Sequence, residues 1–242
     1  MTRVVYCTAR VSGIDPPGTR TVTSGSGVGG GTTLPPVRTD AAPPATDRRA
    51  DEPVAPLGAR LRAETADAHA RVEAAVDLPA LVRSAAAYAQ FLAGLHAVYA
   101  PLEQRLDAFP EWTAVGLSLA PRRKTPLLVS DLAALRAPGT ARWIGDVSMP
   151  ASFGQALGCL YVLEGSTLGG RTIARHLRAS PHRLPTRFVE GYGARTGAMW
   201  RAFQDALRRH ERRGGDGDDV VRGAAGTFAA LERSLAGRAP RA

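Results

Sequence analysis

The chain has almost no lysine: of its 31 basic residues, only Lys124 is not arginine. Alanine and glycine are abundant beside those arginines. The bias reads as the coding preference of a GC-rich genome, so the net charge of +9 says little about function. A basic surface can attract nucleic acid, a membrane or an acidic redox partner. Here the arginines are spread along the helical segments instead of massed with aromatic residues, and no nucleic-acid-binding motif accompanies them, which argues against nucleic acid. Cysteine is scarce too. Cys7 and Cys159 make no framework and no CxxC pair, so no disulfide scaffold or thiol-redox motif is expected, as suits a reducing cytoplasm. No apolar run approaches the ~18 residues of a membrane span, and no signal-peptide core leads the chain, so a soluble cytoplasmic protein with no membrane partner is expected. Strand alternation and internal repeats are lacking. Also lacking is any HExxH, paired Cys/His set or carboxylate cluster of the kind that holds zinc or two irons.

What is there divides at about residue 56. Residues 1–56 carry Gly25-Ser26-Gly27-Val28-Gly29-Gly30-Gly31, three Pro-Pro pairs and many threonines, with no apolar periodicity. Such a segment buries too little surface to offset its ordering entropy, and a disordered extension is expected. From Leu57 onward the pattern is helical, and residues 57–242 read as one all-α domain of about six to eight packed helices. Leu57, Leu61, Ala68, Val72 and Val76 mark the inner face of a first helix. Ser84 is a predicted N-cap for a second, which runs through Leu106 with a bend at Pro101. Thr125-Pro126 predicts the cap and first turn of a third. A glycine-rich helix is expected from Ser152 to Ser180. Thr186 is expected to open the next one, past Trp200 to Gly214, and a last helix covers Asp218 to Leu235.

The glycine-rich helix is the most informative stretch. Glycine in a helix interior costs roughly 1 kcal/mol against alanine. On a continuous helix Gly154, Gly158, Gly165 and Gly169 would fall within roughly 60° of one another. A bare backbone stripe suits a large flat ligand lying against it, a porphyrin being the natural candidate; close helix–helix packing is the alternative. About 90 residues upstream lies His69, one of only five histidines. Glu73 is at i+4, so both side chains leave the same helix face. A carboxylate there can accept the imidazole Nδ1–H and leave Nε2 free for a metal, although the pair could equally be a plain surface contact. One histidine with no other protein ligand suits a haem iron, whose porphyrin supplies the other four nitrogens.

Two motifs stand out, Leu61-Arg62-x-x-Thr65-x-x-x-His69-x-x-x-Glu73 and Leu160-Tyr161-Val162-Leu163-Glu164-Gly165-Ser166-Thr167-Leu168-Gly169-Gly170-Arg171. Together they resemble the haem oxygenase family, in particular its bacterial biliverdin-producing branch associated with phytochromes. The resemblance covers about residues 57–235. It implies a multi-helical bundle with haem b, both substrate and cofactor, between a proximal helix and a kinked distal helix. His69 would be the iron ligand and Glu73 would orient it. Gly165, Gly169 and Gly170 would form the distal wall, and Ser166 would position distal water. Arg62, Thr65, Tyr161, Arg171 and Arg201 are the further haem-binding candidates, the arginines for the propionates. The implied reaction opens the macrocycle with O2 and electrons from an external donor, a ferredoxin or other reductase, giving biliverdin, CO and ferrous iron. A bacterial phytochrome is a candidate acceptor of the biliverdin. Animal-type members carry an aspartate directly after the first glycine, where this chain has Ser166. A haem-storing or haem-sensing protein without turnover is the alternative reading, and a haem-free relative of the thiamine-degrading kind is a third.

Overall fold

The computed structural model describes residues 55–137 and 147–236; the expected extension over residues 1–56 lies almost wholly outside the described residues. Among the described residues there are ten α-helices, three 3-10 turns and no strand. That is more helices than the sequence pattern predicts, because two expected helices are broken and short ones intervene. α1 (Leu57–Glu64) and α2 (Ala66–Ala74) replace the single first helix. The break falls at Thr65, whose hydroxyl donates to the Leu61 carbonyl at 2.6 Å while its backbone leaves helical geometry. α1 buries Leu57 and Leu61, whereas α2 has no fully buried residue. Its sequence, ADAHARVEA, offers little apolar surface beyond Val72 and alanines.

α3 (Leu78–Arg83) follows, and then α4 (Ala85–Leu106), the longest helix described. Ser84 caps α4 as expected, accepting from the Ala87 N–H at 3.2 Å, and Pro101 lies inside it. α5 (Thr125–Ala134) is capped differently from expectation. The buried Glu103 carboxylate accepts from the backbone N–H of Lys124 at 2.6 Å and of Thr125 at 3.2 Å, while the Thr125 hydroxyl makes no hydrogen bond. A full negative charge at a helix N-terminus outcompetes a neutral hydroxyl.

The glycine-rich helix is two helices, α6 (Phe153–Gly165) and α7 (Gly170–Arg178). Ser152 caps α6 by accepting from the Gln155 N–H at 3.1 Å. The helix expected from Thr186 is only the short α8 (Arg187–Glu190); Gly191 and Gly193 then adopt positive φ, which ends it, and α9 (Thr196–Arg212) begins afresh. α10 (Gly217–Ala236) closes the domain. α4, α6 and α10 share one buried core, with Leu92, Val98 and Leu102 meeting Leu157, Leu163, Val220, Ala224 and Leu231.

The crossing of α6 with α10 corrects part of the stripe reading. A Cβ on Gly158 would stand 1.9 Å from the Val220 carbonyl oxygen, and one on Gly223 would stand 2.1 Å from the Gln155 carbonyl oxygen. A Cβ on Gly154 would meet the Asp219 side chain at 2.9 Å. Gly154 and Gly158 are therefore bare because α10 lies against them. Gly165 differs: a Cβ there would meet nothing within 4 Å.

Candidate functional site at the helix break

Between α6 and α7 the chain makes a turn over Ser166–Leu168 and a bend at Gly169. Short-range backbone bonds hold it: Thr167 N–H to Glu164 O at 3.1 Å, Leu168 N–H to Gly165 O at 3.1 Å and Gly170 N–H to Thr167 O at 3.3 Å. Ser166 donates its hydroxyl proton to the Leu163 carbonyl at 2.8 Å. It must therefore accept from the Tyr99 hydroxyl, also at 2.8 Å. Tyr99 comes from the middle of α4 and is 1% exposed. Burial pushes its phenol well above the usual range, with the Ser166 hydrogen bond pulling partly back, so it stays a donor. α7 starts where α8 touches it: a Cβ on Gly170 would lie 1.8 Å from the Val189 carbonyl oxygen.

Behind the break sits a buried charge cluster that the sequence reading missed. Glu164, 1% exposed, closes the last turn of α6. It accepts from Arg122 Nη1 at 2.5 Å, from Lys124 Nζ at 2.8 Å and from the Tyr192 hydroxyl at 2.5 Å. Lys124 Nζ also donates to the Arg122 carbonyl at 3.1 Å and to the Tyr192 oxygen at 3.0 Å. Burial lowers the Lys124 ammonium pKa, and Glu164 and then Glu103 oppose that shift. Burial and the Glu164 charge together push the Tyr192 phenol up.

A cavity of about 40 Å³ opens beside the break. Its wall includes Ser166, Thr167, Gly170 and Lys124 on one side and Leu231 and Leu235 of α10 on another. Phe91, Leu95 and Tyr99 of α4 and Phe188 of α8 line it too, as does Val76, seven residues beyond His69 and just past the end of α2. That volume holds a water or two, far less than a porphyrin. His69 does not itself line the cavity. Its side chain is 30% exposed, Nδ1 lies 3.7 Å from Glu73 Oε1, and its ring meets the edge of Phe228 at 5.7 Å between centroids. The i+4 pair is thus formed, though longer than a hydrogen bond. Glu73 Oε1 is buried and makes no hydrogen bond, a carboxylate oxygen facing the imidazole and nothing better.

The remaining sequence candidates are dispersed. Thr65 spends its hydroxyl on the Leu61 carbonyl. Tyr161 leans on α9, with ring centroids 5.9 Å from Trp200 and 6.4 Å from Phe203. Arg62 and Arg201 are exposed on α1 and α9. Arg171 is exposed on α7, at an open groove it shares with Arg175, Arg178 and Glu190. No group of three or more His, Cys, Asp or Glu side chains among the described residues is disposed to hold a metal ion. A single imidazole with no other protein ligand fits a haem iron better than a protein-caged ion. The described helices include none long and apolar enough to cross a membrane.

The all-α bundle, the His69–Glu73 pair on α2 and the break between α6 and α7 fit a helical haem protein. A family model described as "Heme oxygenase" matches residues 55–236, three quarters of the chain. A protein described as "Heme oxygenase" from Xanthomonas campestris pv. campestris (strain 8004) is 36% identical over 156 residues, covering 63% of this chain and 90% of that one. The chain belongs to the haem oxygenase family, and haem is the substrate that membership brings.

Proposed function

We propose that residues 57–242 bind haem b between α2 and the α6–α7 break and open it to biliverdin, CO and ferrous iron. The reaction consumes O2 and takes electrons from a ferredoxin or another reductase, and a bacterial phytochrome is a fitting acceptor of the biliverdin. The observation that carries the reading is the His69–Glu73 pair on α2, one imidazole faced by a buried carboxylate oxygen that makes no hydrogen bond, in a chain of the haem oxygenase family. Once bound, haem supplies the redox-active iron and is itself the bond-breaking substrate.

The chain's own residues then have separable tasks. His69 offers one ring nitrogen to the iron, while Glu73 Oε1, otherwise without a hydrogen bond, takes the other ring N–H and fixes the tautomer. Gly165 leaves open space where a side chain would stand, so backbone can approach the ligand plane. Gly169 stands at the bend between α6 and α7, and Gly170 lines the cavity with no side chain of its own. Ser166, aimed by Tyr99 and by the Leu163 carbonyl, presents a hydroxyl that can hold water in the cavity. The Tyr99–Ser166–Leu163 chain of hydrogen bonds orients that hydroxyl without any charge, a different solution from the carboxylate that animal-type relatives place there. Haem is much larger than the cavity, so one wall must move outward. The element that yields is α2, which precedes the lining residue Val76 and has no fully buried residue to hold it.

The test is to add hemin to purified protein, follow the Soret band, then supply ascorbate or a reductase system with O2. The expected result is a Soret band that forms and then bleaches as biliverdin absorbance grows and CO is released. A Soret band that forms and persists would make this a haem-storing protein. No Soret band at all would remove haem from the account.

A further inference from the structure

We propose that Glu164 is a positioning residue: through Tyr192, Lys124 and Arg122 it locks the α6–α7 break so that Ser166 is held at the cavity wall. Glu164 is the last side chain of α6 before the Gly165–Gly170 stretch, and its two carboxylate oxygens receive three side-chain donors. Those donors come from two parts of the chain. Arg122 ends a 3-10 turn and Lys124 precedes α5, while Tyr192 lies between α8 and α9. Arg122 reaches further, to the Met199 carbonyl of α9 at 3.2 Å. One carboxylate therefore ties the end of α6 to the start of α5 and to the α8–α9 connection.

The lock also acts on the break through its own backbone. The Glu164 carbonyl accepts both the N–H of Thr167 at 3.1 Å and its hydroxyl at 2.7 Å. Thr167 and Ser166 both line the cavity, as does the stem of Lys124. Were Glu164 free to rotate outward, the first turn of the break would lose the peptide group that anchors it. A buried carboxylate with two cations is not an efficient way to stabilise a fold, since apolar residues of equal volume do as well or better. It is an efficient way to fix one geometry, because any displaced arrangement leaves a charge without a partner.

The proposal rests on the haem-degrading reading for its consequence but not for its first test. Tyr192→Phe removes one hydroxyl from the cluster and leaves every charge paired. Lys124→Met combined with Glu164→Gln removes one charge of each sign and serves as the second variant. Amide hydrogen exchange is measured on the haem-free protein, and in the wild type and Tyr192→Phe a 15N-lysine label reports Lys124, the chain's one lysine, directly. The expected result is exchange about tenfold faster at Ser166, Thr167, Leu168 and Gly170, the worth of one lost hydrogen bond, with α9 and α10 unchanged. In the haem-loaded protein kcat falls about tenfold while KM for haem stays within a factor of two. Exchange that is unchanged at the break, or faster everywhere alike, overturns the lock. Faster exchange at the break with undiminished kcat overturns the positioning role. Failure of the wild-type chain to bind haem overturns the functional reading and the positioning role with it, while the exchange result still decides the lock.

Discussion

Alanine at Gly158 and alanine at Gly165 should shift stability in opposite directions, although both glycines belong to one helix and one sequence stripe. At Gly158 the new methyl would stand 1.9 Å from the Val220 carbonyl oxygen and 2.6 Å from the Ala224 nitrogen. Both obstacles are main chain of α10, so no rotamer change relieves them. Ordinary contact needs ~3.5 Å, which asks α6 and α10 to separate by roughly 1.5 Å at their tightest point. Overpacking of this kind costs about 1–3 kcal/mol and more where the neighbour cannot yield. Even after the ~1 kcal/mol gain in helix propensity, a net loss of about 2 kcal/mol is expected. For a domain of this size that is a fall in Tm of roughly 4–8 °C. Gly165 has no atom within 4 Å of the added methyl and does not adopt positive φ, so the propensity gain stands alone. The expected change is about +0.5 to +1 kcal/mol, or a rise of roughly 1–4 °C. Thermal and urea unfolding of the haem-free proteins read both numbers. If the open side of Gly165 receives haem, the more stable Gly165→Ala protein should also degrade haem more slowly. A Gly158→Ala protein as stable as the wild type, or a Gly165→Ala protein less stable by more than about 1 kcal/mol, would refute this division of the stripe.

Other perturbations probe the two walls. His69→Ala should abolish the ligated Soret spectrum, and retention of that spectrum would move the iron ligand elsewhere. Ser166→Ala should cost more stability than Tyr99→Phe, about 1–3 kcal/mol, because it strands a buried phenol donor while the reverse change leaves Ser166 bonded to Leu163; equal costs in urea titrations would contradict that assignment of donor and acceptor. Amide exchange in α2 should be the fastest among the helices from α1 to α10 longer than one turn, and should slow on adding hemin, whereas equal protection in α2 and α10 would argue for a fixed proximal wall. His210 gives a pH dependence. Its pKa is lowered, chiefly by burial, and its Nε2 is buried without a hydrogen bond. The unfolded chain therefore binds the proton more readily, so the His210 contribution is present above about pH 6.5 and is lost as pH falls below it. His210→Gln should flatten that part of the stability profile, and an unchanged slope between pH 7.5 and 5.5 would refute the assignment.

The helical parts that follow local rules were legible. Ser84 and Ser152 cap the helices that their positions foretold, because a serine hydroxyl and an N–H two or three residues on need nothing from the rest of the chain. Local reading failed where a distant group won. Thr125 lost its cap to Glu103, twenty-two residues earlier, and nothing in the spacing of the two announces a buried carboxylate at that helix start. The break after Gly165 needed the resemblance to foretell it, since the periodicity alone runs straight through. For Gly191 and Gly193 the signal was present: two glycines flanking one tyrosine argue against a helix continuing from Thr186 to Trp200, and both adopt positive φ. At the site, nothing in the sequence pattern marks Lys124 as a member of a cluster, since its partner Glu164 is 40 residues away and Tyr192 is 68 away. A neutralised charge cluster of this kind leaves no pattern on any one helix.

The two sides of the proposed haem site are held very differently, and that difference explains why the cavity is small without being unsuited to its ligand. The break is fastened by Glu164 to two segments, residues 122–124 and the α8–α9 connection, by Ser166 to Tyr99 and by Gly170 to the main chain of α8. Moving it would strand buried charges and a buried phenol, each a penalty of several kcal/mol or a sizeable fraction of one domain's stability. α2 is held by an Arg71–Glu232 pair that is largely exposed, worth ~0–1 kcal/mol, and by half-buried side chains against α10. Displacing α2 also relieves Glu73 of a buried oxygen that makes no hydrogen bond. The free energy of seating a porphyrin therefore falls almost wholly on the helix that carries His69, while the opposite wall keeps its geometry. A rigid wall that aims one hydroxyl, faced by the loosely held helix that carries His69, would let a flat substrate enter and a reshaped product leave without disturbing Ser166.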